Sequence, residues 1–115
     1  MSHEISQTTA QEMTAVFRSN KETILDRNYQ NQGILPICET FDKTELETLL
    51  SHPECEKLRI YYGMDENLKV HAILVGVNAS DEDILPNDPN SENGEIMERS
   101  TRCPVDCPPE SPLNS

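Results

Sequence analysis

Residues 58–79, LRIYYGMDENLKVHAILVGVNA, decide the fold of this chain. Between positions 58 and 62, Leu58, Ile60 and Tyr62 alternate with Arg59 and Tyr61. This alternation is typical of a strand. Almost every position from 70 to 77 is aliphatic or β-branched, which indicates a strand buried on both faces. The two segments predict an antiparallel hairpin that turns around residues 65–67, with the second strand at the centre of the sheet.

A helix is predicted just before this hairpin. Asp42 is its expected N-cap, and Glu45 three positions later completes a capping box. Pro53 ends the helix, because a proline disfavours helical geometry at the residue before it. The expected buried stripe consists of three leucines: Leu46, Leu49 and Leu50.

A second helix is predicted over residues 9–17, TAQEMTAVF. Thr9 and Glu12 have the capping-box spacing, and helical periodicity places three apolar residues on one face: Met13, Val16 and Phe17. The segment ILPIC that follows predicts a short extended stretch, and Pro36 excludes it from the centre of a sheet.

The composition changes at residue 80. Residues 80–115 contain nine acidic side chains, two arginines and six of the eight prolines. Such a segment buries too little apolar surface to offset its ordering entropy. Residues 1–79 are therefore predicted to form a small α+β domain, and residues 80–115 an acidic, partly disordered Pro/Cys-containing tail. Within the tail, GEIMER (94–99) is expected to add a short third strand or one helical turn.

The fold class that follows is α+β. Two helices are predicted to pack on one face of a small two- or three-stranded antiparallel sheet, followed by a largely irregular acidic C-terminal tail.

The hairpin sequence LRIYYG and the end CPVDCPPESPLN resemble a family of small uncharacterised bacterial proteins, in which a strand pair precedes a CPxxCPP-like C-terminus. The resemblance covers roughly residues 50–115. The resemblance implies that the tail and the hairpin belong to the same protein. It implies a fold, but it does not imply an activity.

The net charge of −12 disfavours nucleic acid and anionic membranes as partners, because both are bound by clustered Lys and Arg. A basic protein partner would be attracted. The N-terminus lacks the features of a secretory signal, and the longest apolar run, AILVGV, is too short to span a bilayer. We therefore expect a cytoplasmic protein, in which cysteines are more often free or metal-bound than disulfide-linked.

The four cysteines raise the possibility of structural zinc. Cys103 and Cys107 have three residues between them, within the usual knuckle spacing, and Cys38 and Cys55 would complete a four-sulfur site. However, CPVDCPP lacks a glycine for a tight knuckle turn, and Cys38 and Cys55 are not closely paired. A missing thiolate could be replaced by one of three histidines: His3, His52 or His71.

Catalytic alternatives are weaker. A reactive dithiol usually has two intervening residues at a helix N-terminus, whereas Asp106 and the prolines around Cys103 and Cys107 favour an extended, less reactive pair. His52 precedes Cys55 by three residues, but no nucleophile signature surrounds them. Calcium-loop, phosphate-binding and glycosidase patterns are not supported either. No catalytic residue is assigned, and no cofactor is expected unless the four cysteines bind zinc.

Two features suggest recognition of a protein partner. Tyr61 and Tyr62 are adjacent, so one should pack under a helix while the other reaches solvent or a partner. The segment around Pro108 and Pro109 favours an extended polyproline conformation suited to docking.

These observations favour a non-enzymatic protein-binding or adaptor protein, and the acidity also fits an immunity protein that neutralises a basic toxin. The alternative is a small zinc-stabilised module that uses the four cysteines. A cysteine-dependent enzyme is the third hypothesis.

Overall fold

The structure is a computed structural model that describes residues 3–87, 90, 96–97, 101–103 and 107–114. In chain order its elements are α1 (Gln7–Asn20), a 3-10 turn (Arg27–Tyr29), β1 (Cys38–Thr40), α2 (Lys43–Leu50), β2 (Lys57–Met64), β3 (Val70–Val77), β4 (Ile96–Met97) and β5 (Thr101–Cys103). The chain divides into two compact units, one formed by residues 1–38 and 102–115 and the other by residues 39–101.

The hairpin of β2 and β3 is the centre of the second unit. The strands pair antiparallel along their whole lengths, with Ile60 opposite Leu74. Asp65 closes the turn, because its Oδ1 accepts hydrogen bonds from the main-chain N–H groups of Asn67 and Lys69 at 2.8 and 3.0 Å. An aspartate that bonds the backbone in this way fixes a tight connection. The predicted hairpin and its turn are confirmed.

β3 lies between β2 and β4 in a three-stranded sheet, so its predicted central position is also confirmed. All four residues at its C-terminal end are buried, and Val77 is only 1% exposed. β4 pairs antiparallel with β3, with Ile96 opposite Val75. Of the two alternatives for the GEIMER segment, the strand is therefore the correct one at Ile96 and the residue after it.

α2 begins after the predicted N-cap, Asp42, although that side chain makes no capping hydrogen bond. The helix packs on β3 and β4. Leu49 is 2% exposed and belongs to the core, whereas Leu50 is 47% exposed. The prediction that Leu50 is buried is wrong, because the contact with the sheet is narrower than the stripe of leucines.

Gly76 on β3 allows this close packing. A Cβ atom at Gly76 would lie 3.1 Å from Cys55 Sγ and 3.7 Å from Leu49 Cδ2. The same side of the sheet also holds Ile84, which is buried and whose N–H donates to the carbonyl of Gly76 at 2.9 Å. A larger side chain at this position would therefore push α2 and the segment after β3 away from the sheet.

In the first unit, α1 confirms the predicted N-terminal helix but begins earlier. Its N-cap is Ser6, whose Oγ accepts the N–H of Thr9 at 3.0 Å. Thr9 is therefore inside the first turn, and the prediction that it caps the helix is wrong. The predicted apolar face is largely solvent-exposed, since Met13 and Val16 are both exposed.

The small α+β class is confirmed by two helices and a small antiparallel sheet. β1 and β5 form a separate two-stranded sheet, so the segment around Pro36 is not part of a sheet centre. In the described part of residues 80–115, regular structure is confined to the short β4 and β5. The boundary between residues 79 and 80 stays a prediction. Across the described ranges, neither helix combines the length and apolar character that crossing a bilayer requires.

Candidate protein-binding surface

The most prominent surface of the second unit is an apolar stripe along β2. Four alternate residues of this strand point to one side of the sheet and are 42–76% exposed. We call them the β2 stripe: Leu58, Ile60, Tyr62 and Met64. They share this side with Gly76 and therefore with the face on which Leu49 of α2 packs.

The stripe is exposed because β2 is at the edge of the sheet. α2 packs on β3 and β4, the two strands beyond it. Soluble monomers rarely expose four large apolar side chains in one row, and such rows commonly mark contact with another macromolecule. Tyr62 is the most exposed of them at 76%.

The opposite side of β2 is held by charges. Arg59 Nη2 lies 2.9 Å from Asp81 Oδ1, and its Nη1 lies 2.7 Å from Asp83 Oδ1. The Tyr61 hydroxyl donates to the other oxygen of Asp83. Lys57 adds a longer ion pair of 3.5 Å with Asp81. This network ties β2 to the segment after β3.

The network changes the acidity of its members. Hydrogen bonds from Tyr61 and then Arg59 lower the pKa of Asp83, although burial opposes them. The pKa of Tyr61 is raised mainly by its hydrogen bond to the Asp83 carboxylate. The hydrogen bond between Asp83 and Arg59 likewise raises the pKa of the Arg59 guanidinium. Asp83 is therefore held as a carboxylate and Tyr61 as a neutral phenol at neutral pH.

The two tyrosines do point to opposite sides of the strand, but neither packs under a helix. Tyr61 is 45% exposed and is bound to Asp83, whereas Tyr62 belongs to the β2 stripe. The expectation that one of them would be covered by a helix is wrong, because α2 lies over β3 and β4. Within the described residues, the Tyr61 hydroxyl is hydrogen-bonded to Asp83, whereas the Tyr62 hydroxyl makes no hydrogen bond.

A histidine cluster at the turn end of the hairpin was not predicted. His71 Nε2 lies 2.7 Å from Asp65 Oδ2, and its Nδ1 lies 4.0 Å from Glu39 Oε1. Glu39 Oε2 also accepts the N–H of Ala72 at 2.8 Å. Hydrogen bonding to His71 is the main cause that lowers the pKa of Asp65. The signal available in the sequence was the hairpin register, which places His71 close to the turn.

An open cleft of about 280 Å³ adjoins this cluster, lined by Gly63, Met64, Asp65, His71 and Ile73. A histidine with a carboxylate partner can accept and donate protons. The lining residues include no serine, threonine, cysteine or lysine that this histidine could activate as a nucleophile. Asp65 connects this histidine to the main chain of the hairpin turn.

The four cysteines do not share one state. Cys103 and Cys107 form a disulfide, while Cys38 and Cys55 are free thiols. Sulfurs in a disulfide are not available as thiolate ligands, so a four-sulfur zinc site would first require reduction. Among the described residues, no three His, Cys, Asp or Glu side chains converge as metal ligands would. The zinc site stays a prediction.

Two of the three histidines proposed as replacement zinc ligands make hydrogen bonds to other residues. His52 Nδ1 accepts the N–H of Glu54 at 3.1 Å, and His71 is bound to Asp65. His3 is exposed. The pairing of His52 with Cys55 as base and nucleophile also stays untested.

The end of the tail contacts α1 within the first unit. Arg18 Nη1 donates a hydrogen bond to the carbonyl of Leu113. The main-chain N–H of Ser111 donates to Asn114 Oδ1 at 2.9 Å, and this bond closes a turn. Pro108 and Pro109 are exposed, as a docking segment requires. Their proposed role in binding stays a prediction.

The chain matches no protein-family model, no curated protein and no solved structure. The resemblance of its hairpin and tail to small bacterial proteins therefore remains a prediction from the residues themselves.

Proposed function

We propose that this chain is a non-enzymatic protein-binding or adaptor protein that docks a basic protein partner on the β2 stripe. The observation that carries the proposal is the row of four apolar side chains left uncovered on an edge strand. Aromatic residues in such a row are common anchors of protein interfaces, and Tyr62 is the natural anchor here.

The charge around the stripe supports a basic partner. Glu56 precedes β2 and Glu66 follows it, and both are exposed. The two basic residues of the strand, Lys57 and Arg59, are already paired with aspartates on the other side of the sheet. The rim of the stripe is therefore acidic, as is the whole chain at a net charge of −12. Complementary charge would speed association with a basic partner.

Two finer expectations belong to this proposal. We also propose that the binding event takes place in the cytoplasm. An immunity-type role, in which the acidic chain neutralises a basic toxin, is one form of the same activity.

The test uses synthetic peptides that alternate apolar and polar residues, flanked either by Lys and Arg or by Glu. Their binding to the full chain is measured by fluorescence anisotropy. We expect the basic-flanked peptides to bind more tightly, and Tyr62→Glu to weaken them by about tenfold or more, the scale of one interface anchor. The matched control is Leu85→Glu, since Leu85 is an apolar residue of the same unit that is 61% exposed.

The choice of glutamate separates apolar contact from charge. Tyr62→Glu makes the rim more acidic, so a purely electrostatic interaction with a basic peptide would become stronger. Equal binding by the wild type, Tyr62→Glu and Leu85→Glu, or stronger binding by Tyr62→Glu alone, would overturn the proposal for the stripe.

A further inference from the structure

We infer that the outer backbone edge of β2 pairs antiparallel with β2 of a second copy of this chain, which joins the two sheets into one. The inference rests on the proposed function in one respect: the paired strands would enlarge the same docking face.

The direction of the main-chain groups on β2 follows from the hydrogen bonds around β3. The N–H of Ala72 donates to Glu39, and the carbonyl of Gly76 accepts the N–H of Ile84. Both groups therefore point away from β2. Because antiparallel pairs alternate between bonded and non-bonded, their opposite residues Tyr62 and Leu58 also direct N–H and C=O away from β3.

The same alternation applies along the whole strand. Every residue of the β2 stripe therefore offers its N–H and C=O to the outer edge, as well as its side chain to the face. Within the described part of the chain, β3 is the one strand that pairs with β2. An eight-residue strand with such an edge is a template for another strand.

The devices that usually protect an edge strand are missing from β2. The strand contains no proline. Its two charged residues, Lys57 and Arg59, lie on the side of the sheet opposite the β2 stripe, where both form ion pairs with Asp81. Natural edge strands are commonly blocked by such charges, by proline or by a bulge.

The sequence of β2 is complementary to itself in one antiparallel register. With Tyr61 on the two-fold axis, the bonded pairs match apolar side chains with each other. These pairs, each between one copy and the other, are Leu58 with Met64 and Ile60 with Tyr62.

This pairing would place the two stripes next to each other on the same side of a continuous sheet. Eight large apolar side chains would then form one face for the partner. The edge serves the second copy and the face serves the partner, so the two interactions use different groups of the same strand.

Charge gives the inference a distinctive signature. Two chains of net charge −12 repel each other, and salt screens that repulsion over a Debye length of about 8 Å at physiological ionic strength. Self-association through backbone pairing should therefore strengthen as salt is raised. Binding of a basic partner should weaken under the same change.

The test is sedimentation velocity of the full chain over a concentration series at low and high salt. We expect the mass to double with rising concentration, at lower concentrations when salt is high. Ile60→Pro removes an outward N–H without removing a bond to β3, so it should keep the helix and sheet signal in circular dichroism and leave a monomer. Leu85→Glu is the control that should dimerise like the wild type.

A cross-link reads the register directly. In a background with Cys38→Ser and Cys55→Ser, Tyr61→Cys should form a disulfide-linked dimer, because facing residues of a non-bonded pair have Cα atoms about 4.5 Å apart. Ile60→Cys should cross-link less, since it faces Tyr62 of the second copy. This readout also applies if Ile60→Pro does not fold.

A single chain mass at every concentration and salt, with no Tyr61→Cys cross-link, would overturn the inference. The peptide titration with Tyr62→Glu would then still decide the proposed function. Conversely, a dimer that binds none of the peptides would remove the proposed function and leave the self-pairing in place.

Discussion

Arg59 on β2 holds Asp83 at 2.7 Å, across 24 residues of chain, and so fastens the segment after β3 onto the outer strand. Tyr61 binds the second oxygen of the same carboxylate. Asp83 also forms a β-bridge with Val77, so one short segment is held by backbone and side chain together.

This contact predicts a pH dependence. The folded-state pKa of Asp83 lies below its ordinary value of 3.8, so its contribution to stability is complete above that value and is lost as pH falls through the folded-state pKa. We expect Asp83→Asn to lower the melting temperature at pH 7 and to reduce its dependence on pH in the acid range. Glu66→Gln is the control, and identical acid profiles for wild type and Asp83→Asn would contradict the prediction.

Adjacent leucines on α2 should differ in their importance. Leu49→Ala is expected to lower the free energy of unfolding by about 2–5 kcal/mol, because it empties a site in the core. Leu50→Ala should cost less than about 1 kcal/mol, since nearly half of that side chain is already exposed at 47%. Urea denaturation with a common m value measures both, and equal losses would show that α2 packs through a different face.

The turn of the hairpin should depend on one carboxylate. Asp65→Ala removes the acceptor for the N–H groups of Asn67 and Lys69 as well as the partner of His71. Asp65→Asn keeps an oxygen for the backbone and loses the negative charge. We expect melting temperatures in the order wild type, Asp65→Asn, Asp65→Ala.

Hydrogen exchange at the turn distinguishes the two contributions of Asp65. The amide of Asn67 should exchange faster in Asp65→Ala than in Asp65→Asn, because only the latter retains the acceptor. Exchange rates that match the wild type in both variants would show that the side chain does not hold the turn.

The sulfur chemistry can be counted by mass. Alkylation of the unfolded but unreduced chain should modify two thiols, Cys38 and Cys55, and reduction should raise the number to four. Native mass spectrometry of the reduced chain with zinc, before and after a chelator, then tests the zinc hypothesis. Metal that binds the reduced chain with four thiols protected would support the zinc module over the disulfide form.

Local patterns in the sequence were sufficient for the two helices and for the two strands of the hairpin. The alternation before Gly63 and the aliphatic run after Lys69 predicted both strands, and the position of Asp42 predicted the start of α2. Such patterns work because a strand or helix buries one face with a fixed period. They were insufficient for the cap of α1, where Ser6 and Thr9 are both competent capping residues and only the backbone path decides between them.

The candidate surface depended on information that periodicity does not contain. Alternation placed Ile60 and Tyr62 on one face of a strand, but that face is exposed because α2 packs on β3 and β4. Likewise, Arg59 could be placed on the other face from the sequence, while its aspartate partners lie more than 20 residues away.

The hairpin, its turn and the central position of β3 could be predicted from the residues alone, because neighbouring residues supply the hydrophobic period and the turn-closing carboxylate. Only the three-dimensional fold shows which apolar side chains remain in water and which aspartates pair with Arg59. Those outcomes depend on contacts between residues distant in the chain, and their energies are set by packing and distance that no local pattern encodes.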